Sequence, residues 1–241
     1  MVSARYSSID TLRGLAVVLM VIYHFFYDLV YFGFYDFDFH ADPFWIVFRS
    51  FIVSLFVVLV GVSLYLAHHR HIRWLSAFKR IAILILSAGL ITAISYVIFP
   101  DRPIVFGIIH FIAAASLIAL PFVKFPAVSL LTGLVIIITG NFYSDEFFNQ
   151  SWIHWLGMMT HRPATEDYAP LFPWLGVVLI GISLGYWLTK TAMGKKGLLL
   201  DNKFTTNPLL TWSGRHSLAI YLLHQPILFA VFNTYNFGFG R

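Results

Sequence analysis

The sequence of 241 residues contains no cysteine and few charged residues. The lack of cysteine excludes disulfides, thiolate metal sites and any mechanism that uses a cysteine nucleophile. Charged residues make up 11% of the chain and hydrophobic residues 59%, whereas soluble domains carry about 25% charged residues. A soluble domain of this length has no core large enough to bury so much apolar surface. The composition therefore predicts an integral membrane protein.

Seven apolar runs approach the length that a membrane-spanning helix requires, which is about 20 residues. We predict an all-α bundle of about seven transmembrane helices that forms a single domain over residues 1–241. The predicted spans are Leu12–Phe34, Phe44–Ala67, Ile81–Phe99, Ile104–Val123, Pro126–Gly140, Leu171–Leu188 and Pro208–Phe232.

The distribution of lysine and arginine predicts a cytoplasmic N-terminus. With that orientation eleven cations fall on the inner side and only three on the outer side, a positive-inside pattern. The inner ones are Arg5, Arg13, Arg70, Arg73, Lys79, Arg80, Lys124, Lys190, Lys195, Lys196 and Lys203, and the outer ones are Arg102, Arg162 and Arg241. The net charge of +5 therefore reflects topology, and no nucleic-acid partner is predicted.

The first span carries a stripe of polar residues. Ten residues separate Arg13 from His24, so eleven helical steps bring His24 to within about 20° of the Arg13 face and roughly 16 Å along the axis. Asp28 follows His24 at i+4, where side chains meet. Ionisable groups at membrane depth are costly and face a bundle interior or a watery cavity. The stripe predicts either a functional site or a structural His–Asp pair that locks helix packing.

Two other histidines within the predicted spans are candidates for the same site. His110 follows Gly107 in the fourth span, and His224 lies in the last span just before Pro226. We expect them to converge on His24, with the alternative that His110 only bonds a neighbouring carbonyl. The histidines have no local spacing typical of a metal site, so no metal is predicted.

Several motifs, taken together, resemble a known family. The arginine–ten-residues–histidine pattern and the late segment Ser217–Pro226 are similar to membrane O-acyltransferases that acetylate bacterial surface sugars. Over nearly the whole chain the sequence more closely resembles short bacterial relatives of heparan-alpha-glucosaminide N-acetyltransferase. That resemblance rests on Asp10–Gly14, His24–Asp28, Phe106–Phe111 and Asp167–Trp174.

The resemblance implies transfer of an acetyl or acyl group from cytoplasmic acetyl-CoA or another acyl-CoA to a hydroxyl or amine of a sugar-like acceptor at the outer side. It also implies a multi-pass protein of a bacterial or archaeal plasma membrane. In the lysosomal enzyme of the family the histidine thought to be catalytic follows the first helix, and the matching loop here holds His40 beside Asp42. His24 and His40 are therefore alternative bases.

The chemistry requires a base and an anchor for the donor. We expect His24 to deprotonate the acceptor and Asp28 to orient it, with His110 and His224 as further catalytic candidates. Cations on the inner side would attract the phosphates of coenzyme A; the candidates are Arg13, Arg70, Arg73, Lys79 and Arg80. For Arg13 the alternative is a structural pair with Asp10 that anchors the helix at the membrane edge.

A proton-coupled small-molecule transporter is the rival hypothesis, since chains of His and Asp within a membrane also relay protons. No inverted repeat supports it. The lipid bilayer, acyl-CoA and a glycan-like acceptor are the expected partners, and a homo-oligomer is left open.

Overall fold

The computed structural model describes residues 6–39, 41–190 and 207–239, the last four by their backbone alone. Over these residues the regular secondary structure consists of helices alone, which confirms the predicted all-α membrane fold class. The helices are α1 (Ser7–Tyr31), α2 (Pro43–His68), α3 (Trp74–Ile98), α4 (Ile108–Ala119), α5 (Pro126–Phe142), α6 (Leu171–Lys190), α7 (Pro208–Arg215) and α8 (Ser217–Phe239), with 3₁₀ turns at Pro121–Lys124, Glu146–Asn149 and His154–Leu156.

Five helices in the described part are long and apolar enough to cross a membrane, namely α1, α2, α3, α6 and the Ser217–Tyr235 part of α8. They coincide with five of the predicted spans. Helices α4 and α5 are shorter, with 12 and 17 residues, or about 18 and 26 Å at the helical rise. The count of seven crossings and the N-terminal orientation stay predictions. Five of the cations behind them lie outside the described residues: Arg5, Lys195, Lys196, Lys203 and Arg241.

The prediction of one continuous helix over Pro208–Phe232 was wrong, because the chain breaks at His216. The His216 backbone leaves helical geometry, and its N–H bonds the carbonyls of Trp212 and Ser213. Gly214, two residues before the break, packs against the backbone of α1. The predicted span is therefore two helices, α7 and α8, and the break lies where α7 packs closely on α1.

The chain divides into two compact units, Met1–Phe56 with Lys196–Arg241 and Val57–Lys195. In the first unit α7 packs closely on α1. A Cβ on Gly14 or on Gly214 would overlap backbone atoms of the opposite helix, so only glycine permits this approach. The hydroxyls of Thr11 and Thr211 meet at 2.8 Å in the same contact. The approach holds α7, and with it the start of α8, against the first helix.

An aromatic core fills the rest of the first unit. Tyr23, Phe39 and Trp45 are buried together with Met20 and Ile52, and the rings of Phe39 and Trp45 stack at 4.3 Å between centroids. Large rings supply much buried area with few rotatable bonds. They join the loop after α1 to α1 and α2, and Tyr23 places this core directly beside His24.

The second unit is built on small residues that bring helices together. A Cβ on Gly61 of α2 would overlap the backbone of α6, and one on Gly181 of α6 would overlap the backbone of α2. The buried Ser129 hydroxyl donates to the Leu179 carbonyl at 2.8 Å and joins α5 to α6. Lipid tails are as apolar as the side chains they surround, so the hydrophobic effect does not drive helices together in a membrane. Close packing at small residues and hydrogen bonds between helices hold them together instead.

Candidate functional site

His24 of α1 and His224 of α8 form a pair in the first unit. Their ring centroids are 4.7 Å apart and the rings meet edge to face. His224 is buried, with 8% exposure, whereas His24 is half-buried. The expected convergence of His24 with another histidine of the spans is therefore confirmed for His224.

Hydrogen bonds assign the same tautomer to both rings. His24 Nδ1 lies 2.9 Å from the Met20 carbonyl and His224 Nδ1 lies 2.6 Å from the Tyr221 carbonyl. A carbonyl oxygen only accepts, so each Nδ1 carries the proton and each neutral ring has its lone pair at Nε2. The Nε2 of His224 is buried and has no hydrogen-bond partner among the described residues. A hydrogen bond from one ring nitrogen to a backbone carbonyl fixes which nitrogen of a histidine acts as the base.

Asp28 contacts a different residue from the one predicted. It is fully buried, and its Oδ1 accepts a hydrogen bond of 2.7 Å from Nε2 of Gln225. The expectation that Asp28 orients His24 therefore does not match the geometry. Asp28 lies four residues after His24 and on the same side of α1, but its carboxylate accepts a hydrogen bond from the Gln225 amide of α8. Because Gln225 follows His224 directly, this bond fixes the rotation of α8 at the histidine pair.

Two polar atoms beside this bond have no partner in the described part of the chain: Oδ2 of Asp28 and Oε1 of Gln225. Together with Nε2 of His224 they make three buried polar atoms on the α1–α8 contact to which the described residues offer no hydrogen bond. An unsatisfied buried polar atom costs about 1–3 kcal/mol. Such a cluster is the kind of feature found at functional sites.

Arg13 pairs with Asp10 on the predicted inner side of α1. Its guanidinium lies 2.9 Å from one carboxylate oxygen, and Arg215 lies 3.3 Å from the other. The carboxylate is 4% exposed, and the two arginine side chains are 22% and 45% exposed. This geometry matches the structural alternative for Arg13, and its donor-binding role stays a prediction.

His110 lies in the second unit, where it caps α4. Its Nδ1 accepts from the Gly107 backbone N–H at 3.3 Å, so its Nε2 carries the proton that Thr92 Oγ1 accepts at 3.0 Å. Thr92 in turn donates to the Ile104 carbonyl. Both ring nitrogens are thus used in holding the start of α4. The partners of the ring are a backbone N–H and a hydroxyl and not the carbonyl that the structural alternative named, and the catalytic role of His110 stays a prediction.

The motif Asp167–Trp174 begins with a residue that bonds the first turn of α4, followed by one that bonds the loop before α6. Asp167 Oδ2 accepts from the backbone N–H of Ile108 at 2.9 Å, as a capping carboxylate does. The Tyr168 hydroxyl donates to the His154 carbonyl at 2.6 Å. Burial raises the pKa of Tyr168 to about 12, so the hydroxyl remains a hydrogen-bond donor further into the alkaline range than an ordinary tyrosine.

The cations predicted for the donor do not all share one location. Arg73 and Arg80 line a cavity of about 130 Å³ in the second unit. All four of these residues are exposed, but Arg70 and Lys79 do not line the cavity. The Arg70 backbone carbonyl accepts from Lys124 Nζ. His40, the alternative base, lies outside the described residues.

Sequence reasoning missed three residues. Gln225 was visible only as an amide beside His224, and Arg215 only as a cation inside a predicted span. Ser116 was one small polar residue in an apolar run, yet its buried hydroxyl lines the cavity. Among the described residues no group of three or more His, Asp or Glu side chains is arranged to hold a metal.

The catalytic-domain family of heparan-alpha-glucosaminide N-acetyltransferase matches residues 5–226. That range includes His24, Asp28, His110 and His224. No curated protein and no solved structure matches significantly.

Proposed function

The chain belongs to the heparan-alpha-glucosaminide N-acetyltransferase family and is therefore a membrane acyltransferase, and we propose that His24 and His224 form its general-base pair. We propose acetyl-CoA or another acyl-CoA as the donor and an amine or hydroxyl of a sugar-like compound as the acceptor. The observation that carries the catalytic assignment is the contact of two imidazoles with identical tautomers at 4.7 Å.

The reaction needs a base and no further activation of the donor, since a thioester is already reactive. The acceptor oxygen or nitrogen attacks the thioester carbonyl carbon while its proton passes to Nε2 of a histidine. The carbon–sulfur bond then breaks, and the departing thiolate takes that proton. His24 is the more exposed ring and receives the proton, while Nε2 of His224 offers a second lone pair next to it.

Asp28 and Gln225 act through His224 in this proposal. Their hydrogen bond holds α8 in the rotation that places His224 against His24. They are therefore positioning residues. Basic side chains of the predicted inner side attract the phosphates of the donor from solution.

Purified full-length protein tests the proposal with labelled acetyl-CoA and an amino sugar. His24→Ala is expected to lower transfer by about 10²–10⁴-fold, the usual contribution of a general base, and to leave acetyl-CoA binding intact. His224→Ala is expected to lower transfer as well. The matched control is His216→Ala, an exposed histidine between α7 and α8 whose Nδ1 also bonds a carbonyl.

A His40→Ala variant separates the two candidate bases. Loss of transfer in His40→Ala, with His24→Ala and His224→Ala fully active, would transfer the catalytic role to His40 and end the proposal for the pair. Proton flux in vesicles without any acyl transfer would support the transporter hypothesis instead. The family match favours acyl transfer.

A further inference from the structure

The cavity of the second unit lies where α2 ends and α3 begins, with α4 beside them. Its lining has two arginines, one histidine and two serines as polar members, and no Asp or Glu. The residues that line it are Leu64, Ala67, His68, Arg73, Ser76, Ala77, Arg80, Ile81 and Ser116. A cavity with cations and no carboxylate favours an anion.

Ser116 is the informative residue of this lining. It is 2% exposed, and its Oγ has no hydrogen-bond partner among the described residues. A serine within a helix normally donates to the carbonyl four residues before it. The Ser116 hydroxyl does not make that bond, although burying a hydroxyl without a hydrogen bond costs folding free energy. The cavity beside it is where a ligand would supply the missing acceptor.

His68 presents a second buried donor. Its Nδ1 accepts from the Arg73 backbone N–H at 3.2 Å, so the neutral ring carries its proton on Nε2. His68 is 6% exposed and lines the cavity. The imidazole and the Ser116 hydroxyl are therefore both able to donate to one acceptor group.

Helix α3 adds its N-terminus to the same place. Its first turn contributes Ser76 and Ala77 to the lining, and the first N–H groups of a helix have no intrahelical acceptor. An N-terminus with nearby arginines is a common phosphate site. The first turn holds no acidic residue, so the helix dipole is left for a ligand to neutralise.

Size restricts the ligand further. The cavity of about 130 Å³ holds roughly four waters at ~30 Å³ each. Sites for whole drug-sized ligands begin at about 300 Å³. The space suits the phosphoryl part of a ligand, with the remainder of a larger molecule outside.

We propose that this cavity is a phosphoryl-binding site, in which the Arg73 and Arg80 guanidinium groups, the His68 ring and the Ser116 hydroxyl donate to phosphate oxygens. Arg73 and Arg80 are also predicted contacts of coenzyme A, so with that ligand the site rests on the proposed function and deepens its donor-binding part, whereas with a lipid headgroup it is independent of acyl transfer. The phosphoryl group belongs either to a soluble compound such as coenzyme A or to an anionic phospholipid headgroup.

Calorimetric titration of the full chain in non-ionic detergent with inorganic pyrophosphate tests the site. We expect Ser116→Ala to weaken pyrophosphate binding about tenfold, since a hydrogen bond to a charged group is of that size. Arg80→Gln and Arg73→Gln should each weaken it by at least about tenfold. The Arg73 substitution spares the bond to His68, because that bond uses the Arg73 backbone.

The control variants remove the same kinds of group, one positive charge and one buried hydroxyl, at positions that do not line the cavity. Lys190→Gln removes one charge from the end of α6, and Ser87→Ala removes a buried hydroxyl that bonds its own helix. Both should bind pyrophosphate as the wild type does. Ser116→Ala should also unfold no more easily than the wild type, because its hydroxyl bonds nothing in the described part of the chain. A structural role for Ser116 predicts the reverse, lower stability with unchanged binding.

Competition identifies the source of the phosphoryl group. Displacement of pyrophosphate by coenzyme A supports the site with a soluble ligand, and displacement by phosphatidylglycerol supports it with a lipid headgroup. Absence of pyrophosphate binding by the wild type, or equal weakening by Lys190→Gln and Arg80→Gln, overturns the site. Pyrophosphate binding without coenzyme A displacement keeps the site, and transfer assays decide the acyltransferase proposal separately.

Discussion

The hydrogen bond between Asp28 and Gln225 offers the sharpest test of how α1 holds α8. Asp28 is fully buried, and its Oδ1 accepts from Gln225 Nε2 at 2.7 Å. Replacing Asp28 with leucine leaves a buried amide without its acceptor, at a cost of about 1–3 kcal/mol in the free energy of unfolding. Asp28→Asn keeps an oxygen at the accepting position, so we expect it to cost less than about 1 kcal/mol from this bond.

A double-mutant cycle isolates the bond from the effects of size. Replacing both partners with apolar residues removes the unsatisfied groups, so Asp28→Leu with Gln225→Leu should recover much of the loss. Interhelical hydrogen bonds in membrane proteins give coupling energies of about 0.6 kcal/mol on average and about 1.7 at most. We expect the coupling here to fall in the upper part of that range, because Asp28 is fully buried and Gln225 is half-buried.

The assay is SDS-induced unfolding in mixed micelles, read together with acyl transfer. Gln225→Leu should lower transfer, since it frees the rotation of α8 at the neighbouring His224. Asn233→Leu, which removes an exposed amide of α8 that bonds its own helix, is the matched control. Equal stability of Asp28→Leu and Asp28→Asn, with no coupling in the cycle, would refute the reasoning.

Three other predictions use the same unfolding assay. Arg215→Gln should cost less than about 1 kcal/mol because its side chain is 45% exposed, whereas Asp10→Ala should cost more because it removes both ion pairs; the opposite order would contradict the bridge. Thr92→Val should cost about 1–3 kcal/mol because the His110 ring loses its acceptor, and Thr92→Ser should restore it; equal losses would contradict the cap. Gly181→Leu should destabilise by about 1–3 kcal/mol or more through overlap with the α2 backbone, and unchanged stability would mean that the helices do not cross there.

Sequence alone determined the class of the protein and the candidate histidines. Composition and run length predicted membrane-spanning helices, because lipid requires about 20 apolar residues with every backbone group bonded internally. Helical periodicity placed Arg13, His24 and Asp28 on one face of α1. These properties depend on neighbours within one helix, so they are visible in a single stretch of sequence.

Other predictions failed where contacts between helices competed with local ones. Sequence expected Asp28 to hold His24, four residues away, but its partner is Gln225, which is 197 residues away. The break at His216 lies away from both prolines of its predicted span, Pro208 and Pro226, at the point where α7 packs on α1. Local periodicity carries no information on which distant backbone will approach a given glycine.

Tertiary structure decided which polar groups have partners. Asp10 binds Arg215 across 205 positions, and the hydroxyl of Ser116 lines a cavity formed mainly by residues of α2 and α3. A buried polar group takes its partner from whichever helix packs against it, since the low dielectric makes an unpaired group costly. The residue types were present in the sequence, but their pairing depends on the packing of helices that lie far apart along the chain.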